Sequence, residues 1–260
     1  VFFFFFRKDC NDKSEFFSKE TKKCTSYPSC KDLLDKNGSL SSGIYNLVVT
    51  DSLKKYPVYC HMSAIPECGQ GGWTMVMKID GNESDFNYDS PYWTNKETYA
   101  VDDGLEGLTE KQTKLASYWN TPFNKICIGM TVKGITNWIV IEHQSSSLFD
   151  VIAGGTSTKT LIGESTWKSL IAGSFLQSHC DDEGFNLKCA ASDVHTHIRI
   201  GIVANNEDNC DTCDSYIGFG ASFNGCGVQS TLSGNLAVCS DVSHYDSDIY
   251  INTFGYILVQ

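Results

Sequence analysis

The sequence predicts an α+β fold built on a twisted, mainly antiparallel sheet, with short helices, a loop-rich C-terminal region and many disulfides. Segments with strand-like alternation are mixed with short helical segments, and no regular β–α–β alternation occurs, which favours antiparallel pairing. The 260 residues include twelve cysteines but only one C-x-x-C pair, Cys210 and Cys213. A zinc site of four cysteines needs a second pair, so a disulfide framework explains the cysteines better and indicates a secreted protein.

The overall charge and composition exclude several classes of partner. The chain is 41% hydrophobic and has a formal net charge of -11. The negative charge argues against nucleic acid and anionic membrane surfaces, which require a basic face. No stretch approaches the ~20 apolar residues of a membrane span. Two N-x-S/T sequons, at Asn37 and Asn82, predict N-glycosylation and fit the secretory route.

Residues 1–28 are predicted to form an N-terminal arm, and residues 29–260 the main domain. The arm opens with a run of five phenylalanines, Phe2, Phe3, Phe4, Phe5 and Phe6. One interpretation is the remnant of a signal peptide. If the run is ordered it must be buried, either within the chain or, as we favour, against another subunit, since exposed it would promote aggregation. Cys10 and Cys24 are close enough to close a small loop on themselves.

The elements can be assigned in order from capping signals and alternation. Ser29 is expected to cap a helix over residues 30–36, which Asn37-Gly38 ends. Residues 43–49 and 56–62 predict paired strands, and a glycine turn at residues 69–72 leads into a strand that ends near residue 81. The segment Thr109-Glu-Lys-Gln112 is a capping-box pattern and predicts a helix through Trp119.

In the second half of the chain, residues 125–130 and 137–142 predict strands, and residues 165–173 a short helix with Gly173 at its end. Cys180 and Cys189 are close enough for a local disulfide loop. Residues 199–204 predict a strand that breaks at Asn205-Asn206.

The loop that follows this strand is strongly acidic and is the main candidate site. It holds six oxygen-bearing side chains among three cysteines: Asn205, Asn206, Glu207, Asp208, Asp211 and Asp214. Four carboxylates this close repel one another unless they are solvated or neutralised, and hard oxygen ligands suit Ca²⁺. The spacing is not that of an EF-hand. Two interpretations stay open: a calcium site, and an acidic surface loop fixed by disulfides.

Several short motifs resemble those of a known family. SCKDLL, SGIYNL, YPVYCHM and CGQGGWTMVMKIDG occur in the order and at about the separations typical of a fibrinogen-like domain. The resemblance implies that fold for residues 29–260 and implies a disulfide between Cys30 and Cys60. The C-terminal half departs from the ordinary pattern, because it lacks the usual Asp-x-Asp calcium motif and the Trp-Trp pair.

This second half is more similar to intelectins and to fibrinogen-like proteins of the coral skeletal organic matrix. The run Asn205-Asn206-Glu207 matches an intelectin Asn-Asn-Glu run, whereas Asp211-Thr-Cys-Asp214 stands where intelectins carry Asn-x-Glu-His. The resemblance implies Ca²⁺ near a C-terminal disulfide loop, to which we assign Cys213 and Cys226. Aromatic partners for a sugar are expected from His244, Tyr245 and Tyr250, whereas Tyr256 is expected in the core.

An enzyme is not expected, because the sequence contains no G-x-S-x-G, H-E-x-x-H or Walker pattern. His195 and His197 share a strand face, but no third metal ligand can be assigned to them. The expected function is that of a secreted, non-catalytic, Ca²⁺-dependent protein that binds glycans or glycoproteins, as a homo-oligomer. The alternative is a structural subunit of an extracellular matrix or filament, assembled through the N-terminal arm.

Overall fold

The computed structural model describes residues 10, 12–18, 23–50, 52, 54–189, 196–226, 228–238 and 248–260. The phenylalanine run, residues 2–6, lies outside them. The helices are α1 (Cys30–Lys36), α2 (Val101–Leu105), α3 (Ser117–Asn120), α4 (Leu148–Ile152) and α5 (Glu164–Ser169). The strands are β1 (Phe16–Ser18), β2 (Lys23–Thr25), β3 (Gly43–Val48), β4 (Lys55–His61), β5 (Trp73–Asp80), β6 (Thr113–Lys114), β7 (Phe123–Val132), β8 (Ile135–Ser145), β9 (Thr158–Lys159), β10 (His179–Lys188), β11 (His197–Asn205), β12 (Ser215–Phe219), β13 (Asn224–Gly225), β14 (Val228–Gln229), β15 (Ser233–Ala237), β16 (Ile249–Asn252) and β17 (Phe254–Val259).

The fold is α+β and disulfide-rich, as the sequence predicts, but its strands form two large sheets rather than one. The first sheet has seven strands, with the order β3-β4-β5-β17-β7-β8 and β6 beside β5. The second has six strands in the order β16-β15-β12-β11-β10-β9. Every described strand pair is antiparallel. The C-terminal strand β17 lies in the middle of the first sheet, which explains its continuous burial.

Alternation and capping explain the elements of the first half. Ser29 caps α1 by accepting a hydrogen bond from the Asp32 backbone N–H, and the helix ends at Asn37, as predicted. Strands β3 and β4 pair as predicted. No helix among the described residues is long and apolar enough to cross a membrane.

The helix predicted from Thr109 to Trp119 is wrong. Thr113 and Lys114 form β6 against β5, and only the four residues of α3 are helical. The reason is tertiary: Lys78 on β5 donates to the carbonyl and hydroxyl oxygens of Thr109, at 3.0 and 2.9 Å. The Thr109 hydroxyl is the acceptor that a capping box would use, and it binds Lys78 instead, so packing overrides the local pattern.

Two lysines are buried completely in this region and organise the loops around it. The Lys78 Nζ also donates to the carbonyl oxygens of Asp103 and Gly107, at 2.8 and 3.1 Å. The Lys114 Nζ donates to the carbonyl and side-chain oxygens of Asn95, at 2.8 and 2.9 Å, and lies 4.6 Å from the centre of the Tyr118 ring. Burial lowers the pKa of each lysine to about 8.

Five disulfides join ten cysteines among the described residues, and no described cysteine is free. The Cys30–Cys60 bond is the one that the resemblance implies, and Cys10–Cys24 closes the expected small loop. The predicted Cys180–Cys189 loop is wrong. These two residues lie at opposite ends of β10, so Cys180 bonds Cys210 and Cys189 bonds Cys213 across strands. Cys213 therefore does not pair with Cys226, which is also disulfide-bonded.

The N-terminal segment packs on its own chain. Strands β1 and β2 form a hairpin joined by the Cys10–Cys24 bond. The Lys55 Nζ lies 2.6 Å from a carboxylate oxygen of Glu15, and Ser14 accepts the Asn46 backbone N–H at 2.7 Å. Phe16 packs against the core beneath β3 and β4. Because Cys10 and Cys24 bond each other, neither is available for a bridge between chains.

Four glycines form a row across the second sheet. Gly184, Gly201, Gly218 and Gly234 stand opposite one another on β10, β11, β12 and β15. A Cβ at Gly218 would lie 2.1 Å from the carbonyl oxygen of Ile200, and one at Gly234 would lie 2.0 Å from that of Ile251. Neighbouring backbones therefore approach too closely along this row for any side chain.

Candidate functional site

The acidic loop, residues 205–214, joins two buried strands of the second sheet. Strand β11 is buried throughout and ends at Asn205, and β12 begins at Ser215. Two disulfides connect the loop to β10 and to the residue after it, through Cys210 and Cys213. Backbone pairing at its base and two cross-links therefore hold the loop, while its acidic side chains lie at the surface.

Asn205 lies at the base of the loop and is fully buried. Its Nδ2 donates to the carbonyl oxygen of Asn209 at 2.7 Å and to the hydroxyl of Thr212 at 3.0 Å. Because a carbonyl oxygen can only accept, these contacts fix the orientation of the amide. The Asn205 Oδ1 is then buried without a hydrogen-bond donor among the described residues. A buried oxygen left in this state is unfavourable, and a cation or a water would satisfy it.

The loop carboxylates are mostly solvated. Glu207, Asp208 and Asp211 are exposed, and Asp214 is half-buried. An Asp208 oxygen lies 2.8 Å from the His179 Nδ1, and the Thr212 hydroxyl lies 3.4 Å from a Glu207 oxygen. In the described ranges, one cluster of three metal-ligating residues occurs, formed by Cys10, Glu15 and Cys24. The sulfurs of Cys10 and Cys24 are bonded to each other. The acidic loop therefore supplies oxygen ligands that are not preassembled around one point.

Of the predicted sugar-contacting residues, the structure describes Tyr250 alone. Tyr250 lies on β16 and is 47% exposed, so its ring is available at the surface. His244 and Tyr245 lie outside the described residues. Tyr256 is buried, as expected, with its hydroxyl donating to the Leu108 carbonyl oxygen at 3.0 Å.

The histidines show no catalytic arrangement in the part of the chain that the structure describes. The His61 Nε2 lies 3.3 Å from the Ser63 hydroxyl, but the other ring nitrogen faces the Tyr59 hydroxyl at 3.4 Å rather than a carboxylate. Burial lowers the pKa of His61. His197 is buried with its ring centre 5.1 Å from that of Tyr88, and His195 lies outside the described residues.

Both sequons lie at the surface. Asn37 follows α1, and Asn82 is exposed in the turn after β5. The Asn82 Nδ2, the atom that a glycan would modify, donates to an Asp80 oxygen at 2.9 Å, and its Oδ1 accepts from Asn252 at 2.8 Å. Both positions stay predicted glycosylation sites.

Two features of the site were missed by sequence reasoning. His179 contacts the acidic loop from the start of β10, about thirty residues earlier, because β10 pairs with β11 and the Cys180–Cys210 bond joins the two segments. The Thr212 hydroxyl forms hydrogen bonds with the side chains of both Asn205 and Glu207. Predicting either contact from the sequence would have required the strand pairing and the disulfide connectivity. Twelve cysteines leave that connectivity open.

No protein-family model matches this chain, and no curated protein matches it. Among solved structures, the chain is similar to the fibrinogen-like globe domain of human ANGPTL2, with 22% identity and a TM-score of 0.30. That match covers 43% of this chain and 48% of the other, so it spans about half of the matched protein. At this similarity the match identifies neither a family nor a function.

Proposed function

We propose that this chain is a secreted, non-catalytic recognition protein of the fibrinogen-like type, which binds glycans or glycoproteins with a Ca²⁺ ion held by the acidic loop. The observation that supports this proposal is the Asn205 Oδ1, which is buried at the base of the acidic loop without a described donor. Ca²⁺ accepts six to eight oxygen ligands, including amide and carboxylate oxygens. Exposed carboxylates rotate toward an ion at little cost, because they are not held by buried contacts.

The disulfide framework supports the extracellular part of the proposal. Five bonds distributed over the chain form and persist in oxidising compartments. The net charge of -11 favours divalent cations over anionic polymers as ligands. In this arrangement the ion binds sugar hydroxyls, and an exposed ring such as that of Tyr250 packs on the apolar face of the sugar.

The test is calorimetric titration of Ca²⁺ into chelator-treated protein, with two variants that remove the same charge. The double variant Asp208→Asn and Asp211→Asn should bind Ca²⁺ at least ~10-fold more weakly, since each carboxylate is an expected ligand. The control variant, Asp102→Asn and Glu110→Gln, changes exposed carboxylates away from the loop and should bind as the wild type does.

Glycan-array binding with and without Ca²⁺ then separates two outcomes. Calcium-dependent glycan binding would support the whole proposal. Calcium binding with no glycan signal would make the ion structural and would overturn the lectin part. If the wild type does not take up Ca²⁺ at all, the proposed site is wrong.

The alternative, a subunit assembled through the N-terminal arm, receives one structural constraint. The Cys10–Cys24 bond leaves covalent bridging through these residues unavailable, so assembly would be non-covalent. Sedimentation of the full chain against a chain lacking residues 1–9 tests it. A change from oligomer to monomer on truncation would favour the assembly function, and identical behaviour would exclude a role of these residues in assembly.

A further inference from the structure

We propose that the edge of the first sheet binds a basic, extended segment of a partner protein, with Glu67 pairing with its arginine or lysine. A groove of 450 Å³ lies there, lined by Pro66 and Glu67 on one side, residues 136–140 of β8, and Thr166 and Ser169 of α5. This site is separate from the acidic loop and does not depend on calcium or on glycans.

Glu67 is a charged group without a described partner, on a turn whose backbone is held in place. It is exposed and forms no ion pair or hydrogen bond with a described residue. Its backbone has a φ of 61°, a left-handed conformation that is uncommon for residues other than glycine. Two backbone hydrogen bonds between Ile65 and Gly69, at 2.9 and 3.0 Å, and the Cys68–Cys127 bond maintain this turn. Such strain, kept by surrounding contacts, is typical of functional positions.

The hydroxyls of Thr166 and Ser169 in the groove have used their hydrogens, and the Asn137 amide has used one of its two. The Asn137 Nδ2 donates to the Leu170 carbonyl oxygen at 3.3 Å, which leaves its Oδ1 without a described donor. The hydroxyl of Thr166 donates to the Ile162 carbonyl oxygen, and that of Ser169 to the Thr166 carbonyl oxygen. What these side chains offer a ligand is therefore mainly lone pairs. A guanidinium or ammonium group, which only donates, matches that set, whereas phosphate or sulfate does not.

The backbone beside the groove favours a polypeptide as the ligand. Strand β8 is at the edge of its sheet and, in the described ranges, pairs only with β7. One side of β8 therefore presents backbone N–H and C=O groups that an extended peptide can pair with by strand addition. Ile135, at the start of β8, is 68% exposed and adds apolar area. The net charge of -11 attracts a basic segment from a distance.

The test uses two fluorescent seven-residue peptides of alternating threonine and valine, with either arginine or its neutral isostere citrulline at the centre. Wild-type protein should bind the arginine peptide at least ~10-fold more tightly in fluorescence anisotropy, because a charge-assisted hydrogen bond is lost with citrulline. Glu67→Gln should abolish this preference, whereas Glu110→Gln, an equal charge change on another loop, should keep it. A third peptide with alternate backbone amides N-methylated should bind at least ~10-fold more weakly if strand addition occurs.

A second variant tests the same groove if Glu67→Gln does not fold. Ser169→Lys places a cation at the rim of the groove and should weaken the arginine peptide by at least ~10-fold while Glu67 stays in place. Equal affinity for the arginine and citrulline peptides, or a preference that survives in Glu67→Gln, would overturn the proposal. So would Glu67-dependent binding of a glucosamine oligosaccharide with no peptide binding, which would make the ligand a sugar.

Discussion

The Lys78 region and the acidic loop are two clusters of oxygen atoms that differ in whether the chain supplies a cation to them. Around Lys78, four oxygens from Asp103, Gly107 and Thr109 surround a positive charge that the chain itself supplies. The acidic loop carries carboxylates and a buried amide oxygen, and among the described residues the contact between Asp208 and His179 lies at its rim. The first arrangement is complete and therefore structural. The second is incomplete, and this is why we assign ligand binding to it.

Replacing Lys78 with methionine breaks the complete arrangement and should have the largest effect. The carbonyl oxygens of Asp103, Gly107 and Thr109 would lose a buried donor, so we expect the free energy of unfolding to fall by about 3 kcal/mol. Urea unfolding measures it. Lys111→Met is the matched control, since Lys111 is half-exposed and pairs with Glu106 at the surface, and it should change the free energy of unfolding much less. Equal losses in both variants would contradict the assignment.

The buried lysines also predict an unusual dependence of stability on pH. Their pKa values are lowered to about 8 in the folded chain, against an ordinary value of 10.5. Between these values the unfolded chain binds more protons than the folded one, so the free energy of unfolding should rise with pH. From these values we expect a gain of about 2 kcal/mol for each lysine, or roughly 4 kcal/mol for the two together, between pH 7.5 and 9.5.

The rise of the free energy of unfolding with pH should end at a maximum, and a lysine variant provides the control. Burial raises the pKa of Tyr56 to about 12 and also raises that of Tyr118. A raised tyrosine pKa makes stability fall as pH rises above 10, so a maximum should appear near pH 9 to 10. The Lys114→Met variant should show a smaller rise than the wild type. A free energy of unfolding that falls steadily from pH 7.5 to 9.5 would refute the prediction.

Thr212→Val tests the acidic loop, and its expected effect on the free energy of unfolding is smaller. The side chain keeps its shape but no longer accepts from the Asn205 Nδ2, so the free energy of unfolding should fall by about 1 kcal/mol. The loop should also bind Ca²⁺ more weakly, because Asn205 is held less firmly. Calorimetry and urea unfolding on the same sample separate the two effects. Unchanged Ca²⁺ binding would remove Asn205 from the proposed ligand set.

The smallest effect on the free energy of unfolding is expected from Asp208, at the rim of the acidic loop. Asp208→Asn removes the charge opposite His179, yet Asp208 is 94% exposed. The free energy of unfolding should change by less than about 0.5 kcal/mol. A thermal unfolding measurement checks this value in the presence of a chelator. A larger loss without Ca²⁺ would show that the pair stabilises the loop by itself.

Local signals predicted the first half of the fold better than the second. The Ser29 cap, the β3–β4 pair and the Cys30–Cys60 bond follow from short patterns or from the resemblance they carry. The helix from Thr109 fails because Lys78, thirty-one residues earlier, uses the oxygens of Thr109. The loop disulfides fail for a similar reason, because residues near in sequence, such as Cys180 and Cys189, are separated by a strand.

The candidate site was predicted in composition but not in geometry. The six oxygen-bearing residues were visible in the sequence, since they are adjacent. The buried position of Asn205, the contact of His179 with Asp208 and the absence of a three-ligand group among the described residues of the loop depend on how β10, β11 and β12 are arranged. Glu67 gave no sequence signal, because its interest lies in an uncommon backbone conformation and an edge strand beside it.

The glycine row of the second sheet also selects the register of its strands. Hydrophobic alternation has a period of two, so a strand that slips by two residues keeps its apolar face inside. In such a slip, Gly218 would no longer stand opposite Gly201, and a side chain would enter a space only about 2 Å from a neighbouring carbonyl oxygen. The shifted pairings are therefore excluded by steric clash, while the apolar pattern alone would allow them. Alternation decides which face is buried, and the four glycines decide which residues meet.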